Sequence, residues 1–423
     1  MHEEERQDIR NPEVAMPADG TPEAPPPVAL DAGRQGKARA YGRATRRLFF
    51  LDLGLTLVYL VAAAVSGVGG TLRDLLPDPA PLQAVVVLVI LAVVYGVLTL
   101  PLHIYADYLL PRRYGLLTQG FPGWLLDAAK RGGVTLLLAG VFVALLYILL
   151  EAAPALWWLL AAGAFFLVSV SLAVLLPLVL VPLFFKQRPL ADEALRTRLE
   201  RLAERARARV AGVFIIDLSA KGTAANAALM GMGRTRRIVL TDTMLQTYTA
   251  DEIETVLAHE LGHHALGHIS RGIALQGALA LAELFIAHIV LTPLFPALGY
   301  RELSDVAGIP VLLLVLSAVG AAGVPLTGLA SRRFERAADR FALGQSANPD
   351  AFISAMTKLA DQNLAEADPP RWMHVLTGTH PTYRERVDMA QRLAPGLSKG
   401  ATHRGDDGQA PSAGPERTSQ PGV

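Results

Sequence analysis

Several stretches of this chain are apolar for long enough to cross a lipid bilayer, and nothing else in it constrains the fold as strongly. A helix needs about 20 apolar residues to span hydrocarbon, and inside hydrocarbon every peptide group must find its partner within the helix. Such runs extend from Leu48 to Val68, Leu82 to about Ile104, Val134 to Leu150, Leu156 to Phe185, about Gly272 to Phe295 and Ile309 to Leu329. The fourth exceeds what a simple span needs and predicts a tilt, or a kink near Pro177 and Pro182. Composition agrees: 18% of residues are charged and 52% hydrophobic, against about 25% charged in a soluble domain.

Basic residues alternate along the connections. Arg43, Arg46 and Arg47 precede the first run, and Arg112, Arg113, Lys130 and Arg131 occupy the second connection. The first connection holds only Arg73, the fifth only Arg301 and the third neither Lys nor Arg. By the positive-inside rule this predicts about six transmembrane helices, with both termini and residues 187–267 cytoplasmic. The expected order is a disordered tail (1–45), helices 1–4 (46–186), a first soluble piece (187–267), helices 5–6 (268–330), a second soluble piece (331–392) and a disordered tail (393–423). The first tail is polar and Pro-rich, without the apolar core of a secretory signal. The Ala-, Leu- and Arg-rich texture and the lack of organelle signals point to a bacterial cytoplasmic membrane.

A formal net charge of +1 argues against a nucleic-acid partner. Gly231-Met232-Gly233 is too short for a nucleotide-binding loop and reads as a turn, so no nucleotide is expected. The chain has no cysteine, so any metal must be held by imidazole and carboxylate. Within the soluble pieces, Asp192 to Val210 has the apolar spacing of a helix, and Val213–Leu218 and Arg237–Thr241 read as strands of a small sheet. Thr249 and Glu252 form a capping-box pattern that opens the next helix.

That helix carries His259-Glu260-Leu261-Gly262-His263. Histidines four apart lie about 40° apart around a helix, so both can grip one ion, and Glu260 stands where it can take a proton from an attacking water. Two ligands leave a catalytic zinc one protein ligand short. His268 follows nine residues after His259 but falls on the opposite face of a continuing helix, and His264 points away. Glu335 and Asp339, spaced i and i+4, offer a carboxylate ligand and a second carboxylate to orient a histidine. The alternative is a charged face in which these acids pair with Arg332, Arg333, Arg336 and Arg340. In the fifth run Gln276, Glu283 and His288 either line a watery cavity or bond between helices.

Together, His259-Glu-Leu-Gly-His263, Ser331-Arg-Arg-x-Glu335-x-x-x-Asp339 and Thr379-His380-Pro381 with Arg386 resemble the M48 metallopeptidases, and most closely their Ste24-type CAAX prenyl protease branch. Arg113-Tyr114-Gly115-Leu116 with Asp127 and Lys130, Pro182-Leu183-Phe184 with Pro189-Leu190, and Asn226-Ala227 extend the likeness over roughly residues 46–392. The resemblance implies a mainly α, multi-pass membrane protein with a zincin-like α+β catalytic domain split in sequence. It implies one Zn2+ per chain on His259, His263 and Glu335, Glu260 as general base and Asp339 supporting a ligand. His380 and Arg386 would steady the oxyanion, and an edge strand at Asn226 and Ala227 would pair with an extended substrate. Partners would be the bilayer and a peptide or protein substrate, with or without a lipid. Ste24-type enzymes have seven spans against about six here. Alternatives are a quality-control protease like the HtpX branch or, in another class, an inactive membrane scaffold; no inverted repeat supports a transporter.

Overall fold

In the computed structural model, residues 29–175, 181–231 and 236–405 are described. Pro177, Met232 and Gly233 therefore lie outside the described residues. The first helix, α1 (Ala32–Val65), starts well inside the expected tail. The Asp31 carboxylate accepts the Arg34 N–H at 2.7 Å, which caps the helix. Its first turns are held by the second soluble piece: Arg34 Nε donates to the Asp361 carbonyl at 2.8 Å, and Arg46 pairs with Glu366 at 2.7 Å. Polar composition suggested disorder there; capping and tertiary contacts supply order that composition does not register. At the other end α15 (Tyr383–Gly405) passes the expected boundary at 393.

After α1 come the short α2 (Val68–Leu75) and α3 (Ala80–Ile104), which continues through a π-helical turn at Tyr105–Leu109 into α4 (Leu110–Arg113). Then follow α5 (Phe121–Ala152), α6 (Trp157–Leu175) and α7 (Val181–Phe184). The third run, at about 17 residues the shortest by its apolar core, lies inside the 32-residue α5, because a Pro at the first helical turn starts the helix earlier. Among the described residues, five helices are long and apolar enough to cross a membrane: α1, the α3–α4 rod, α5, α11 (His268–Ala297) and the helix running from Val306 to Ser346.

Contacts at the helix ends sort them onto two sides. The start of α1 meets the second soluble piece, and Lys221 of the first pairs with Asp127 at the start of α5. On the opposite side Arg73 clasps Asp305 at 2.9 Å. Three crossings by α1, α3–α4 and α5 leave the chain on the Arg73 side, where the apolar α6 begins. The outward side chains of these helices, such as Val58, Val97, Leu98 and Leu167, are apolar and exposed, as lipid-facing positions require.

The first soluble piece holds β1 (Gln187–Pro189), α8 (Glu193–Arg205), β2 (Val213–Ile216), β3 (Ala227–Met230), β4 (Arg237–Thr241), α9 (Asp242–Thr247) and α10 (Ala250–Ala265). Its sheet has the order β1-β2-β4-β3, with β2 and β4 parallel and both outer pairs antiparallel, so β3 is an edge. The second piece adds α13 (Pro349–Gln362), α14 (Arg371–Thr377) and α15. Both pieces share one core, in which Leu257 and Leu261 of α10 pack with Leu199, Ile238 and Phe352.

The expected boundary at 330/331 does not exist as a break. α12 (Ile309–Ser346) is a single 38-residue helix that leaves the membrane and carries Glu335 and Asp339 into the second soluble piece. Ser331 and the arginines after it are compatible with helix and offer no stop signal, so only the polarity changes there.

Candidate metal centre

α10 is positioned at its start by the capping box read from the sequence. The Thr249 N–H donates to Glu252 Oε2 at 2.7 Å, and the Glu252 N–H donates to Thr249 Oγ1 at 3.3 Å. Glu252 also accepts from Lys358 of α13 at 2.8 Å, tying the metal-motif helix to the second piece.

α10 and α12 pack closely, and Gly262 permits it. A Cβ there would lie 3.1 Å from Ala338 Cα and 3.2 Å from Phe341 Cβ. Gly262→Ala asks neighbours to give a few tenths of an ångström, whereas Gly262→Val must push the helices apart, an overpacking that costs about 1–3 kcal/mol. Since the ligand set straddles these helices, Gly262→Val is expected to purify with markedly less metal per chain, measured by elemental analysis. Full occupancy would show that close approach is not required.

On the α10 side of this contact His259 Nε2 and His263 Nε2 are 3.2 Å apart. His259 Nε2 lies 3.3 Å from Glu335 Oε2, and His263 Nε2 3.4 Å from Glu335 Oε1. A tetrahedral zinc with bonds of about 2.0–2.1 Å separates its ligand atoms by about 3.3 Å. The three residues thus fit zinc in donor type and spacing, and they form the one such His/carboxylate group among the described residues.

His259 directs its other nitrogen, Nδ1, to Asp339 Oδ1 at 2.8 Å. Asp339 is fully buried and held by Arg386, whose Nε donates to Oδ2 at 2.9 Å while Nη2 bonds Oδ1. Burial opposes a charge on His259, but its hydrogen bonds to the Asp339 and Glu335 carboxylates outweigh it and push the imidazole up to about 9. A proton there competes with a metal for Nε2. The Glu260 carboxyl is also raised, chiefly by burial, which brings it toward the range useful to a general base.

His380 lies at the mouth with Nδ1 2.8 Å from Glu335 Oε2 and its side chain 64% exposed. Arg386, expected to steady the oxyanion, lines the cleft that holds Glu260 and His380 while bonding Asp339, and its Nη2 is 3.5 Å from His259 Nδ1. A charged guanidinium next to a buried carboxylate satisfies that pair first. Asn226 sits just before β3 with its main chain bonded to Thr241. Ala227 is buried and pairs with Leu240. Clefts of about 580 and 400 Å3 share His259, Glu260, Glu335 and His380; Asn226 lines the first and Leu229 of β3 the second. A larger cleft of about 830 Å3, bordered by Asp52, His103 and Asp127, shares no residue with the trio.

Three residues contribute in ways their local sequence does not reveal. Gly262 was a spacer in a motif. Arg332, read as a partner for the acids, instead donates to the backbone carbonyls of His374 and Gly378. His268 is not in the metal trio: its Nδ1 lies 3.2 Å from His263 Nδ1, and its ring stacks on Phe334 at 4.6 Å. A turn at Gly267, in the left-handed region, ends α10 and brings His268 back. Two facing Nδ1 atoms share one proton, and a His263 that binds metal through Nε2 must supply it. His268→Ala is therefore expected to weaken zinc affinity about 10–100-fold in a chelator competition; an unchanged affinity would leave His268 a packing residue. In the membrane, Trp157 Nε1 donates to His288 Nδ1 at 3.0 Å, whereas Gln276 and Glu283 line a cavity of about 360 Å3.

Comparison with known proteins agrees with this geometry. Residues 189–394 match peptidase family M48, and residues 22–186 match the CAAX prenyl protease N-terminal domain of five membrane helices. The chain is 27% identical to the uncharacterized metalloprotease YhfN of Bacillus subtilis, over 88% of each chain. It is 28% identical to a CAAX prenyl protease 1 homolog of Oryza sativa, over 68% of each. The crystal structure of Ste24p from S. mikatae superimposes with a TM-score of 0.77 at 22% identity, covering 85% of this chain and 90% of that one. M48 peptidases are zinc-dependent in general, and the chain belongs to that family as a multi-pass membrane metalloendopeptidase of the Ste24-type, CAAX prenyl protease branch.

Proposed function

We propose that His259, His263 and Glu335 hold one zinc per chain, and that the enzyme cleaves CAAX-type, lipid-bearing protein substrates at the cytoplasmic face of a bacterial membrane. The observation that carries this is the trio itself: donors from α10 and α12 at tetrahedral spacing beside a free strand edge. When bound there, zinc acts as a Lewis acid on the scissile carbonyl and the attacking water.

The protein's own groups do the rest. Glu260 takes a proton from water as its oxygen adds to the carbonyl carbon, then passes it to the nitrogen as the C–N bond breaks. His380, exposed at the mouth, donates a hydrogen bond to the oxygen that gains charge. Asp339 accepts a hydrogen bond from His259 Nδ1–H, keeping the proton on Nδ1 and leaving Nε2 free for the metal, and Arg386 acts as a positioning residue by holding Asp339.

The substrate backbone adds to β3. Asn226 turns both main-chain groups toward Thr241, so the alternation of an antiparallel ladder turns the Ala227 peptide groups to the open edge. Such pairing binds an extended chain without selecting its sequence. The membrane domain then supplies selectivity, and its match to the CAAX prenyl protease domain favours this reading over an HtpX-like one. The excess of Lys and Arg on the α1 start, in α4 and in the first half of α5 supports the cytoplasmic orientation.

The test is product analysis by mass spectrometry on prenylated and plain CAAX-type peptides, with and without chelator. Chelator-sensitive cleavage that favours the prenylated peptide is expected. Cleavage unaffected by chelator would remove the metal role, and equal cleavage of both peptides would remove the lipid preference.

A further inference from the structure

The second soluble piece contains a helix whose apolar side chains are not buried by the protein. α14 (Arg371–Thr377) has no buried residue, and Trp372, Val375 and Leu376 are 53, 57 and 44% exposed. Spaced i, i+3 and i+4, they form one helix face.

Two contacts fix the depth of that face relative to the lipid. Trp372 lies against Phe50, with ring centroids 6.1 Å apart, and Phe50 belongs to the first apolar run of α1 and is itself 46% exposed. On the other side, Arg332 of α12 donates to the carbonyls of His374 and Gly378, the latter immediately past the end of α14. Arg332 is three residues beyond Leu329, where the last apolar run ends, which is about 4.5 Å along a helix axis. Both neighbours thus place α14 where α1 and α12 leave hydrocarbon, and its open face continues the lipid-facing surface of α1.

We propose that α14 is an interfacial foot, with Trp372, Val375 and Leu376 inserted into the acyl boundary of the bilayer. A Trp among aliphatic side chains suits that boundary, since its ring is apolar and its N–H can reach water or headgroups. The consequence concerns the catalytic cleft. Gly378, anchored by Arg332, is two residues from His380, and His374 and His380 both line the cleft of about 580 Å3. A foot in the lipid therefore holds this edge of the cleft at a set depth, within reach of a substrate anchored in the same leaflet.

The absence of cysteine from the chain makes the test direct. Val375→Cys and Leu376→Cys, each carrying an environment-sensitive fluorophore, are reconstituted into liposomes containing spin-labelled lipids. Arg201→Cys on the exposed face of α8 is the reference. Blue-shifted emission and quenching several-fold above the reference are expected at both positions. Quenching at 375 and 376 no stronger than at 201 would overturn the proposal. Because the readout is fluorescence, it is independent of whether the peptidase assay succeeds.

Discussion

Glu260→Gln is expected to lower peptide hydrolysis by about 10²–10⁴-fold, the usual contribution of a positioned general base, while bound zinc per chain stays at the wild-type level. The substitution keeps shape and removes the proton acceptor. Glu260 lies outside the His259–His263–Glu335 trio, so the ligand set survives. It lines both clefts that flank the trio, where a scissile bond would rest. The measurement pairs single-turnover peptide cleavage with elemental analysis on the same preparation. Wild-type turnover would assign the base elsewhere; lost zinc would mean that Glu260 supports the metal instead.

Glu335→Ala is expected to do the converse and lose the metal. It removes one of three protein donors, so zinc affinity should fall well beyond the roughly 10–100-fold that loss of a supporting partner costs. Asp339→Asn provides the scale, since Asp339 touches His259 only through Nδ1 and should remain within that range. Titration of each variant against a calibrated chelator separates the roles. Equal losses in the two variants would place Glu335 and Asp339 in the same tier and return the third ligand to question.

Some of this was written plainly in local residue patterns. The capping box of Thr249 and Glu252 is a short-range device, and it forms as read. The apolar runs marked the membrane helices because lipid leaves a backbone few options. Helix boundaries were less legible. The run of arginines after Leu329 signals a change of solvent, yet α12 continues through it without a break. Likewise, polarity made residues 32–45 look unstructured, because the partners that order them, Asp361 and Ala365, are more than three hundred residues away.

The metal centre divides along the same line. Spacing along the chain puts His259 and His263 on one helix face, and Glu335 and Asp339 on another, because both spacings are one helical turn. Long-range packing settled whether these faces meet at ligand distance, through the side-chain-free contact of Gly262 with Ala338. It also decided that His268 backs His263, which required a reversal at Gly267, and that Arg386 serves Asp339. Helical periodicity is a property of neighbours in the chain; the approach of two helices depends on whatever side chains lie between them.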